Sequence, residues 1–313
     1  MQRQRKVALV ESTVAAVSPV PGTQTTAFAN YIALTGQKLS PSAFFERFSH
    51  AFGQLLREVA SRAVQAVREV AGEDRPFNEL GALLEEFTDV QAADSTWQLL
   101  QRLAADWAPS TSKARPAAFK WHALVSLRDE LPVADGVTSQ RTQDTRALPE
   151  EALSPGTLTF MDLGWYLTTV GRHVLTAREV AEAYRLRWRV ELLFNALKSG
   201  VGLTALRATR PGAVLSLVYA KVIALALSRL LELSLQQKAG ESGQEQATGR
   251  LALVLALTRC APLLLSHAMR SRGVTLVQLE ERILLIAEVT ARSHQQRRER
   301  ERRKREASLR SGR

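Results

Sequence analysis

Cysteine is nearly absent: Cys260 is the single one in 313 residues. No intrachain disulfide can form from one thiol, and no cysteine-rich metal motif is available. Its apolar, helix-patterned surroundings predict a buried structural thiol. The opening MQRQRKVALVESTV lacks a long apolar run, so no secretory leader is expected. The apolar stretch Ala213 to Leu233 is interrupted by Lys221 and Arg229 and carries Ser216, Tyr219 and Ser228, which predicts a buried core helix and no membrane span. Internal repeats are also absent. Acidic residues are in deficit, 31 Asp and Glu against 42 Lys and Arg, for a net charge of +11 and a pI near 10.4. Such a balance favours an anionic partner, most simply nucleic acid.

The positive charge is unevenly placed. Residues 292–313 hold 10 Lys and Arg against 3 Glu, so +7 of the excess lies in a terminal basic tail. A tail of this kind adds affinity for DNA without reading sequence. Apolar content of 45% and charged content of 23% describe a soluble globular chain, long enough for two or three domains. The expected location is the cytoplasm, beside the nucleoid.

Along the chain, residues 1–38 show little helical periodicity and are expected to form a weakly ordered lead. Ser40-Pro41 offers an N-cap with proline in the first turn and opens a helical module over 39–87, with a helix to about Val70 and a short one near 77–87. Between about 88 and 170, strand-like runs occur at Phe87–Ala92, Phe119–Leu127 and Thr157–Leu163. Thr176-Ala-Arg-Glu179 is a capping box that starts a helix, and Gly200-Val-Gly202 ends it. A helical region follows over 201–291, with apolar patterns at about 211–237 and 250–270 and a last helix from about Thr275.

Within that capped helix lies YRLRWRVELLFNALK, Tyr184 to Lys198. At about 100° per residue, Tyr184, Arg187, Glu191 and Lys198 fall on one narrow stripe. Leu186, Val190, Leu193 and Leu197 form a wholly apolar back. The spacing alone fits a solvated face of surface ion pairs, which is the commoner use of such a pattern. It also fits an acid flanked by a phenol and two cations, as phosphate chemistry requires.

The segment resembles, residue for residue, the Tyr-x2-Arg-x3-Glu-x6-Lys signature of DDE transposases encoded by bacterial insertion sequences, specifically the insertion-sequence-four family. Two further motifs add to the resemblance. Asp94, in VQAADSTWQLL, follows a strand-like run and is similar to the first catalytic aspartate of that family; Asp-Ser-Thr is equally an ordinary helix N-cap. Asp162, in TLTFMDLGWY, ends an apolar strand and resembles the second aspartate in its Asp-Leu-Gly motif. The resemblance implies an α/β RNase-H-like (retroviral-integrase-like) core over 88–200, with Asp94, Asp162 and Glu191 as the catalytic, metal-binding triad. It implies Mg²⁺, for which Mn²⁺ can substitute. Tyr184, Arg187 and Lys198 would contact DNA phosphates, the helical module would bind the transposon end, and the partners would be double-stranded terminal inverted repeats and target DNA, engaged by a homodimer on paired ends.

Lys120 and His122, in FKWHALVSL, resemble residues of the family's middle strand and are weak candidates near the site. Asp144 reads as a turn or cap acid rather than a metal ligand. Trp188 reads as core packing, with base stacking as the alternative. The resemblance also has a gap. Asp162 and Glu191 stand 29 residues apart, whereas the family places a helix, a strand and a β-rich insertion between them. An internal deletion is the simplest reading, and it leaves the expected core incomplete. Three functions remain in view: an active transposase, a catalytically inactive deleted derivative that only binds DNA, and an unrelated basic helical interaction protein. The last requires all three motifs to be coincidence.

Overall fold

The computed structural model describes residues 9–17, 24–36, 40–71, 87–147, 156–161, 187–195, 197–198, 202–206 and 208–242. Asp162, Tyr184, Leu186, Cys260, the capping box at Thr176, most of the expected 77–87 helix, the patterns beyond 250 and the basic tail lie outside these residues.

The structure differs from the weakly ordered lead expected over 1–38. Helix α1 spans Leu9–Val17 and α2 spans Gln24–Thr35. Ala15 and Tyr31 on them are fully buried, so tertiary packing supplies what weak helical periodicity does not. Ser40 caps α3 (Pro41–Phe45) as expected, its hydroxyl accepting from Ala43 N at 3.2 Å. The helix expected to run on to Val70 is broken, because Ser49 caps a new one, α4 (His50–Ala71), by accepting from Phe52 N. Phe44, Phe48 and Phe52 stack edge-on across the break, centroids 5.2 and 5.5 Å apart.

A mixed sheet follows, made of β1 (Asp89–Leu99), β2 (Ala118–Ser126), β3 (Leu131–Ser139) and β4 (Thr157–Met161) in the order β3-β2-β1-β4. β1 is antiparallel to β2 and parallel to β4, and β2 is antiparallel to β3. A four-stranded α/β layer of mixed direction agrees with the expected fold class. β2 was legible as an apolar run. β3 was not: Pro132 and Gly136 disguise it, and its position at the sheet edge is what makes them tolerable. A short helix α5 spans Asp144–Ala147, α6 spans Trp188–Asn195, and α7 spans Pro211–Ser242.

Among the described residues, α7 is the one helix long and apolar enough to be weighed as a membrane span. Over Pro211–Leu230 its mean hydropathy is 1.8, yet 83% of that window is buried against the chain, the position of a core helix. α4 crosses it closely. A Cβ at Gly212 would stand 2.4 Å from His50 N, and one at Gly53 would stand 2.9 Å from Leu215 Cδ2. Two glycines thus let the helix backbones approach. Together α4, α6 and α7 supply the apolar side chains that join Val90, Ala92, Phe119, Trp121, Ala123 and Phe160 of the sheet in one core.

Candidate active site

Asp94 lies within β1, not at a strand end, and it caps no helix. Ser95, Thr96 and Trp97 continue the ladder, opposite His122, Trp121 and Lys120. Alternation along the strand puts Asp94 on the same sheet face as Ala92, Thr96, Ala123 and Trp121. Helix α6 lies over this face: Phe194 meets the Trp121 ring edge-on at 5.7 Å. Val190, Leu193 and Leu197 are buried, as the apolar back of the stripe predicts, while the Glu191 side chain is 60% exposed.

One cation joins the two acids. Arg187 Nη1 donates to Asp94 Oδ2 at 2.7 Å, and Arg187 Nη2 stands 3.5 Å from Glu191 Oε1. The arginine and Asp94 are 93 positions apart in sequence, so the bridge ties β1 to the start of α6. The other Asp94 oxygen accepts from Ser95 N at 2.7 Å. Asp94 and Arg187 are four-fifths buried, so their contact is less screened than the open pair with Glu191. Lys198 follows α6 half-buried, its carbonyl accepting from Thr204 Oγ1 at 3.3 Å.

β4 ends at Met161, which pairs with Ala93, the residue before Asp94. Asp162 is next in sequence. Asp94 and Glu191 turn carboxylate oxygens toward a single cation, the hard oxygen donor set that divalent ions such as Mg²⁺ take. Among the described residues no group of three His, Cys, Asp or Glu side chains that could hold a metal ion gathers.

The opposite face of the same strands carries a polar network that the sequence only hinted at. His122 Nδ1 stands 2.7 Å from Asp144 Oδ1, His122 Nε2 is 2.8 Å from Thr138 Oγ1, and Lys120 Nζ is 2.8 Å from Asp144 Oδ1. Asp144 sits in the first turn of α5, the cap-like place expected of it. Burial pushes His122 below its ordinary value, and the nearby Asp144 charge only partly offsets that. For Asp144, burial acts to raise the pKa, but hydrogen bonds from Lys120 and Ser95 and the Lys120 charge outweigh it and hold the carboxyl low.

Two side chains depart from expectation. Trp188 is 52% exposed, not packed in the core, because α6 turns Val190 and Leu193 inward instead. Asp135 is a half-buried acid that the pattern LPVADGV concealed. Trp121 Nε1 donates to its Oδ2 at 2.7 Å and the Tyr219 hydroxyl stands 3.4 Å from Oδ1. Burial raises its pKa against the lowering effect of Trp121 and Arg57. These contacts make Asp135 a structural tie between β3, β2 and α7.

Residues 165–227 match the family described as the transposase DDE domain. The transposase for insertion sequence element IS421 of Escherichia coli is 41% identical over 61 residues, 20% of this chain and 16% of that protein. The transposase for insertion sequence element IS1151 of Clostridium perfringens is 31% identical over 71 residues, 23% of this chain and 15% of that protein. The alignments thus span about a sixth of the length of these relatives. No solved structure matches. The matched segment relates the chain to the DDE transposases of insertion sequences.

Proposed function

We propose that this chain is built for DNA transposition: cleavage and joining of transposon ends by phosphoryl transfer, with Asp94, Asp162 and Glu191 as the metal-holding carboxylates. The observation that carries the proposal is the Arg187 bridge. It sets Asp94, on a strand, beside Glu191, on the helix of the segment similar to the transposase DDE domain. A pair of Mg²⁺ or Mn²⁺ ions held there would activate the attacking water or 3′-hydroxyl and stabilise the leaving oxygen. Asp94, fixed in the ladder with one oxygen on Ser95 N, supplies a rigid ligand oxygen; Glu191, largely exposed, supplies one able to move onto a ligand. Arg187 is placed to exchange a carboxylate for a phosphate oxygen, and Tyr184 and Lys198 are assigned to the same DNA strand. Such contacts position the backbone without reading bases. The partners are the terminal inverted repeats and target DNA, with a homodimer on paired ends.

A second reading is favoured by one observation. Asp162 and Glu191 are only 29 positions apart, so the helix, strand and insertion seen in the insertion-sequence-four family have no room. In this reading the chain is an internally deleted derivative with an incomplete RNase-H-like core, and it binds DNA without cutting it. A misplacement of about 1 Å at a carboxylate costs about a hundredfold in rate.

The experiment compares purified full chain with its Glu191→Gln variant on labelled duplex carrying the element's terminal repeat, with Mg²⁺ or Mn²⁺. Metal-dependent nicking by the wild type and its loss in the variant is the expected result. Binding without nicking in the wild type establishes the deleted derivative in its place.

A further inference from the structure

The β1–β2 connection, residues 100–117, is a built platform. Leu100 N donates to Ala117 O at 2.9 Å, Ala118 N to Ala108 O at 2.9 Å, and Ser110 N to Pro116 O at 2.8 Å. The Ser110 hydroxyl donates to the Arg115 carbonyl and accepts from Ser112 N at 3.0 Å. Trp107 Nε1 pins the connection to Thr209 O, just before α7, at 2.7 Å. The turn after β3 is locked to its tip, because Arg141 Nε donates to Ser110 O at 2.9 Å and Thr111 N to Gln140 Oε1 at 3.2 Å.

Around Ser110 this construction gathers Lys113, Arg115 and Arg141, all exposed. Among the described residues no carboxylate pairs with any of them. The nearest acid on the turn, Asp144, is already engaged by Lys120 and His122. A group of cations on a braced backbone, unpaired although the same connection carries the exposed Asp106, attracts an anion. Its place matters too. The platform begins after Leu99, five residues beyond Asp94 on an extended strand, and so about 17 Å away at about 3.4 Å per residue.

We propose that Lys113, Arg115 and Arg141 form a docking surface for the phosphate backbone of duplex DNA, on the connection that continues β1 beyond Asp94. The choice of duplex DNA rests on the transposase reading above. The surface reads no bases, since its donors are flexible side chains that present charge and no fixed edge.

The test is fluorescence anisotropy of the full chain on labelled duplexes of several unrelated sequences, without divalent metal, across a potassium chloride series. Replacing Lys113, Arg115 and Arg141 together by Gln is expected to weaken binding equally on every sequence and to flatten the log–log salt slope by about 2–3, about 0.9 for each phosphate that is no longer neutralised. A Lys113→Gln/Arg115→Gln pair leaves the Arg141 to Ser110 bond intact, guards against misfolding, and is expected to flatten the slope by about 2. A slope unaltered in the double variant overturns the surface. Because nicking is measured separately with metal, an inactive wild type that retains the slope difference sinks the transposase reading and leaves the surface standing.

Discussion

Arg187 and His122 show two ways in which single side chains escape sequence reading. The signature stripe put Arg187 near Glu191 and assigned it to DNA, but spacing within one helix says nothing of a carboxylate 93 positions away. Val190, Leu193 and Leu197 were legible because burial follows a period that the helix imposes. The motif singles out Asp94 but not its place within the ladder, since Asp-Ser-Thr reads equally as a cap. His122 was visible as a residue of an apolar strand, and its partners Thr138 and Asp144 lie on elements that the pattern did not connect to it. Its burial has a pH consequence. The unfolded His122 takes up a proton near its ordinary value of 6.5, while the folded ring resists protonation and does so only at lower pH. Below 6.5 the unfolded state therefore binds more protons, so the stability contribution present above 6.5 is lost as pH falls through the folded value. The thermal midpoint is expected to hold above that pH and to decline on acidification, with a smaller decline in His122→Gln. Equal declines in both proteins would refute the assignment.

At the scale of elements, the crossing of α4 and α7 is the contact most sensitive to one added methyl group. The Gly212 Cβ would strike backbone atoms, His50 N at 2.4 Å and Ser49 C at 2.5 Å, which can give way only if the helices part. The Gly53 Cβ would meet only Leu215 side-chain atoms, of which Cδ2 at 2.9 Å can swing away while Cβ at 3.1 Å must give by a small shift. Gly212→Ala is expected to cost about 3 kcal/mol or more and Gly53→Ala about 1 kcal/mol, read from urea midpoints. The reverse order would show that the helix backbones are farther apart than these distances require. Neither glycine was singled out by sequence, because a close approach depends on the partner helix. The strands divide similarly. β2 declares itself through FKWHALVSL, whereas β3 is held by its pairing with β2 despite Pro132 and Gly136, with a register shift at Leu124/Val125 that accommodates the irregularity. β1 extends to Leu99 because β2 pairs with it throughout, while β4 reaches only Ala93.

For the whole molecule, the α/β class and a likeness to transposases over one segment were legible. Net charge, the absence of a disulfide set and the three acidic motifs converged on a DNA-acting α/β chain, and the segment 165–227 is similar to a transposase DDE domain. The α1 and α2 helices were missed because their burial is set by the rest of the fold. The Arg187 bridge, finally, bears on how the protein is held in the absence of any ion. Two neighbouring carboxylates would ordinarily repel, and a chain that needs a divalent ion to relieve that repulsion melts early without it. Here a resident monovalent charge does the neutralising, so under the proposed function loading would be an exchange of one cation for another and not the filling of a void. Competition of this kind weakens the linkage between ion binding and unfolding. Millimolar Mg²⁺ is therefore expected to move the melting temperature of the wild type by little and that of Arg187→Gln upward by more, as differential scanning calorimetry would record. An equal upward shift in both would mean that the guanidinium does not hold the place the ion takes.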